Sequence, residues 1–105
     1  MKDFKKAAEA FSNAISGNPQ NKDYYFNMGN ACLEMQEYQS AIYHLKKVYE
    51  LDEDLNYPNT EAALVTLASI YQDKTNDKKR ALKVNKQIFK LYPDNKTAKS
   101  SLQKL

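Results

Sequence analysis

The feature that most constrains this chain is that it repeats itself. Phe4 and Tyr38, Ala7 and Ala41, Phe11 and Leu45, and Ala14 and Val48 are each 34 residues apart. A second copy is displaced by 40, relating Ala41 to Ala81, Val48 to Ile88, Leu51 to Leu91 and Glu53 to Pro93. Gly29 and Ala68 are 39 apart. Five of the six extra residues therefore fall in the stretch 56–60, and the sixth falls in the turn before Ala81. Extra residues confined to loops are what an array of equivalent units tolerates, because each unit meets only its neighbours.

The apolar spacing inside each unit is helical. Tyr25, Met28, Cys32 and Met35 recur every three or four residues, as do Tyr38, Ala41, Ile42, Leu45, Val48 and Tyr49. Phe4, Ala7, Ala8, Phe11, Ala14 and Ile15 make an earlier stripe that stops at Gly17-Asn18-Pro19. Leu64, Leu67, Ala68 and Tyr71 make another. Ala81, Leu82, Val84, Ile88, Phe89 and Leu91 follow, and a more polar segment from about 94 carries Ala98, Leu102 and Leu105. Asn21 is the expected N-cap of the second helix, with Asp23 in its first turn. With two glycines, three prolines and no alternating pattern, the chain is expected to be all-α, six helices in antiparallel succession.

A 34-residue helix–turn–helix period carrying Tyr25, Met28-Gly29, Cys32, Tyr38, Ala41, Leu45 and Val48 resembles the tetratricopeptide repeat. Tyr25 stands where that family most often has tryptophan, and Glu53 replaces its closing proline. The next copy reads Leu64, Leu67-Ala68, Tyr71, Ala81 and Pro93, with Asn85 weakening a position that is usually bulky. The resemblance implies a right-handed α-solenoid. Its parts would be a half repeat at 1–21, full repeats at 22–55 and 61–95, and a capping helix at 96–105. Small residues at Gly29, Ala68, Ala7, Ala41 and Ala81 would let the helix axes approach closely.

In such a solenoid the first helix of each pair lines a concave groove that takes a peptide or a partner helix. The corresponding residues here are Asp23, Phe26, Asn27, Asn30 and Leu33, then Val65, Thr66 and Ser69, with Gln72 and Asp73 beyond them and Thr97, Ser101 and Lys104 extending the surface. A protein-binding scaffold or adaptor is the expected function. A subclass of the family grips acidic chain ends with lysine, arginine and asparagine. Asn27 or Asn30 could supply the asparagine, but Ala62 and Thr66 stand where cations are needed, so that subclass is not expected.

Two alternatives rest on charge and on the half repeat. Ten cations from Lys74 onward against Asp77 and Asp94 leave that end at +8, and the rest carries −5 within a net +3. Lys79, Lys83, Lys86 and Lys90 line one helix face and would be the contact for RNA or an anionic surface, although solvation is the commoner use. The basic end could also stack on the acidic end of another copy. The first helix lacks a cover for Phe4, Ala8 and Phe11, so either the chain is a fragment of a longer array or a second copy packs there as a homodimer.

Catalysis is not expected. His44 is the sole histidine, and Cys32, the sole cysteine, faces the core. Asp52-Glu53-Asp54 lacks the glycine and distal glutamate of a calcium loop and is expected to be solvated. No phosphate loop or nucleophile–base pair occurs, and no cofactor or metal is implied. No apolar run approaches the ~18 residues of a membrane span. An intracellular setting is only a default.

Overall fold

The computed structural model describes residues 5–6, 9–10, 13, 17 and 20–103. The described residues before 20 are helical, Gly17 included. Phe4, Ala7, Ala8, Phe11, Ala14, Ile15, Asn18, Pro19, Lys104 and Leu105 lie outside the described residues, and with them the suggested self-association face. From residue 22 the elements are α1 (Lys22–Glu34), α2 (Tyr38–Leu51), α3 (Thr60–Ser69), a π-helical turn (Ile70–Lys74), α4 (Lys78–Leu91) and α5 (Lys96–Gln103). Each helix packs chiefly on its neighbours in sequence, α1 on α2, α2 on α3, α3 on α4 and α4 on α5. That is the nearest-neighbour contact pattern of a helical stack.

Local chemistry sets the helix ends. Asn21 caps α1 by accepting a hydrogen bond from the Tyr24 amide at 3.3 Å, as expected. Gln36, at φ 62°, turns the chain in the left-handed region and lets the Glu37 amide reach back to the Cys32 carbonyl at 2.9 Å. Asp77 caps α4 through the Arg80 amide at 3.0 Å and also pairs with the Arg80 guanidinium at 2.6 Å. Those interactions hold the Asp77 carboxyl below the usual carboxylate range. Asn95 caps α5 by accepting from the Ala98 amide at 2.9 Å.

The two insertions have distinct structural solutions. The single extra residue before Ala81 is absorbed by the π turn, where the Thr75 amide bonds the Ile70 carbonyl at 3.0 Å, one residue beyond α-helical spacing. The widened turn still buries Ile70 and Tyr71, so Asp73 and Lys74 extend the third helix where a free turn was expected. The five-residue insertion is organised by Asp52, whose side chain is fully buried. Its carboxylate accepts from the amides of Asn56 and Tyr57 at 3.2 Å, from Thr60 Oγ1 at 2.5 Å and from Lys22 Nζ at 3.4 Å. The expectation that Asp52 belongs to a solvated loop is therefore corrected: only Glu53 and Asp54 face water. Burial opposes the charge on Asp52, but the bonds from Thr60, Tyr57 and Lys22 outweigh it and hold the carboxyl below its ordinary range.

The core runs unbroken through the stack, from Tyr25 and Cys32 through Ala41, Leu45 and Val48 to Leu64, Leu67, Ile88 and Ala98. At the α1–α2 crossing Gly29 faces Leu45: a Cβ at Gly29 would lie 2.7 Å from Leu45 Cγ. Burial, followed by the Glu37 charge, pushes the Cys32 thiol above its ordinary value, which makes it a packing residue and not a nucleophile at neutral pH. His44 is half-buried, donates from its ring nitrogen to the Ser40 carbonyl at 2.7 Å and meets the Tyr43 ring edge-on. On α4 the sequence stripe needs one exchange: Phe89 is 41% exposed, and Asn85 takes the inward position.

Candidate functional site

The first members of the helix pairs are α1 and α3, and α5 continues the series. Two polar ties join them at a spacing that repeats the 34-residue period. The Tyr57 hydroxyl, just ahead of α3, donates to Asp23 on α1, and Asn95 Nδ2, at the head of α5, donates to Glu61 on α3 at 2.6 Å. Both ties sit near the helix N-termini, so they set how far apart successive first helices stand along one edge.

Between α1 and α3 the surface is walled by an aromatic pair. Phe26 meets the Tyr57 ring edge-on with centroids 6.5 Å apart, and Lys22 Nζ lies 5.8 Å from the centroid of the same ring. Burial, reinforced by Asp23, raises the Tyr57 hydroxyl above its usual range. Asp23 is exposed but already accepts from Tyr57, and Phe26 and Leu33 are half-buried against the core. Asn27 is exposed and Asn30 partly so. Neither asparagine makes a side-chain hydrogen bond among the described residues. Sequence reading missed Tyr57, because nothing in an inserted loop signals that its aromatic ring folds back onto the preceding helix.

Between α3 and α5 lies a cleft of about 230 Å3. Val65, Ser69, Gln72 and Asp73 come from the α3 side, Thr97 and Ser101 from α5, and Asn85 from α4 lies beneath them. Thr66 is half-buried on α3. The lining is chemically mixed: one aliphatic wall, several neutral donors and acceptors, and one carboxylate. Ser69 Oγ donates to Asp73 at 3.4 Å. The Asn85 residue is 6% exposed, yet its carboxamide makes no hydrogen bond among the described residues.

The four lysines of α4, Lys79, Lys83, Lys86 and Lys90, are all exposed. They flank shallow hollows on the side of α4 shared with Tyr49 and Leu91, away from the α3–α5 cleft. Arg80 is engaged with Asp77. Among the described residues no cluster of three or more histidine, cysteine or acidic side chains is placed to hold a metal, and no helix is long and apolar enough to cross a membrane.

Sequentially packed helix pairs, a glycine at the first crossing and an open face on alternate helices define an α-helical repeat module. Residues 22–55 match the tetratricopeptide repeat model. The Arabidopsis OM64 TPR domain superposes with a TM-score of 0.75 at 26% identity, covering 96% of this chain and 78% of that one. The N-terminal domain of stress-induced protein-1 from C. elegans gives 0.84 at 20% identity, covering 96% and 80%, a likeness of fold alone. No curated protein matches the sequence. Residues 22–55 thus match a tetratricopeptide repeat, and the fold is that of tetratricopeptide repeat domains, which are in general protein–protein interaction modules.

Proposed function

We propose that the chain is an adaptor that binds an extended segment of a partner protein along the face formed by α1, α3 and α5. The observation that carries this reading is the open α3–α5 cleft, bordered by Val65, Ser69 and Thr97 and continuous in sequence register with the unpaired amides of Asn27 and Asn30 on α1. Backbone peptide groups need both a donor and an acceptor, and an asparagine carboxamide offers both. Val65 and the Phe26–Tyr57 pair add apolar surface beside those polar groups, the mixture common to peptide-binding sites.

The test uses peptides selected from a random-sequence display library by the full chain. The double variant Asn27→Ala, Asn30→Ala is expected to bind the selected peptides at least about tenfold more weakly by calorimetry, roughly 1.4 kcal/mol, with an unchanged thermal melt. Equal affinity for both proteins would remove the α1 face from the site.

A further inference from the structure

The two full repeats solve the same packing position differently. In the first, Leu45 is fully buried and presses on Gly29, leaving no space between the helices. Forty residues on, the equivalent position is Asn85, which lines a cleft together with Ala68. The planar carboxamide is as long as the leucine side chain but carries no methyl groups, so it fills less volume, and the α3–α5 cleft of about 230 Å3 opens there. Its floor is Asn85, a residue only 6% exposed whose carboxamide opens onto the cleft and has no partner among the described residues. A carboxamide that lines a cleft with its donor and acceptor both free offers a ligand group one hydrogen bond of each kind.

We infer that Asn85 floors a side-chain pocket that selects an asparagine or glutamine residue of the bound peptide. This rests on the peptide-binding reading above and deepens it. One carboxamide facing another gives two hydrogen bonds, each group donating once and accepting once. Other side chains fit the lining less well. Asp73 is the charged residue of the cleft and repels a carboxylate. A lysine or arginine would be drawn to the exposed Asp73, which already accepts from Ser69, and having only donors would leave the Asn85 N–H without an acceptor. An aliphatic side chain would leave Asn85 unpaired with water excluded from it. Val65 and Ala68 pack the methylene stem, and Ser69, Gln72 and Thr97 border the opening.

The experiment takes peptides selected by the full chain from the random-sequence library and synthesises each with its asparagine or glutamine replaced by leucine or by glutamate. The native chain is expected to lose at least tenfold in affinity for either replacement. Asn85→Leu, which restores the plug found at Leu45, is expected to melt no lower than the native protein and to bind the leucine form at least as tightly as the carboxamide form. Asn85→Ala gives a second reading should the larger side chain disturb packing, and it is expected to abolish the preference. Selected peptides without a carboxamide requirement, or a preference that survives both variants, overturn the pocket. If those same peptides still weaken with Asn27→Ala, Asn30→Ala, the groove stands and only the Asn85 pocket falls. Recovery of no peptide overturns both.

Discussion

Replacing Asp52 with alanine is expected to destabilise the protein by about 2–4 kcal/mol, because buried donors are left without an acceptor. Two backbone amides, the Thr60 hydroxyl and the Lys22 ammonium all converge on this carboxylate. Lys22 retains partial access to solvent and can rehydrate, whereas Thr60 is fully buried and cannot. The loss extends beyond the loop, since Tyr57 is positioned by the same carboxylate and in turn ties α3 to Asp23. For a domain of this size the melting temperature should fall by about 10 °C or more. The pH dependence has a definite sign. The folded pKa of Asp52 lies below its unfolded value of about 3.9, so its contribution is complete above that value and is lost as pH falls through the lower, folded one. The alanine variant should therefore show a shallower acid limb in a urea-unfolding series between neutral pH and pH 2. A native-like melt and an unchanged acid limb would mean the carboxylate is not the organiser of the loop.

A comparable loss is expected from Gly29→Leu, for a steric reason. Even a methyl group at Gly29 would come within 2.7 Å of Leu45 Cγ and 2.8 Å of its Cδ2, and Leu45 is sealed within the core. A leucine must push α1 off α2, and overpacking of this kind costs about 3 kcal/mol. Gly29→Ala is the informative control. Alanine gains about 1 kcal/mol of helix propensity over glycine. Leu45 must still move, so a net loss of about 1 kcal/mol is expected in place of that gain. Chemical denaturation of the two variants measures both numbers. If alanine stabilised the protein, the close crossing would be absent.

The architecture was legible because it depends on patterns that survive averaging over a helix. The 34-residue spacing, the stripe on α2 and the cap at Asn21 each state a local requirement directly in residue type. The single-residue excess before Ala81 was visible as arithmetic, but its form as a π turn was not, since an insertion can equally lengthen a loop. Asp52 shows the opposite failure. Three acidic residues in a row look like solvated loop, and only the tertiary placement of Thr60, Tyr57 and Lys22 turns the first of them inward. At the candidate site, the α3 face came from the repeat resemblance together with helical phase, and Val65, Ser69, Thr97 and Ser101 line one cleft. Asn85 stood out in the sequence only as a departure from the repeat pattern, because its place in the lining of a cleft is a property of the assembled helices.

The proposed adaptor function requires that a partner bind on the face made by α1, α3 and α5. Amide chemical-shift mapping of the labelled chain, titrated with a peptide it selects, tests this directly. The expected result is perturbation concentrated at Asn27, Asn30, Val65, Ser69, Gln72 and Thr97. Shifts clustered instead on Lys79, Lys83, Lys86 and Lys90 of α4 would contradict it and transfer the function to the basic face.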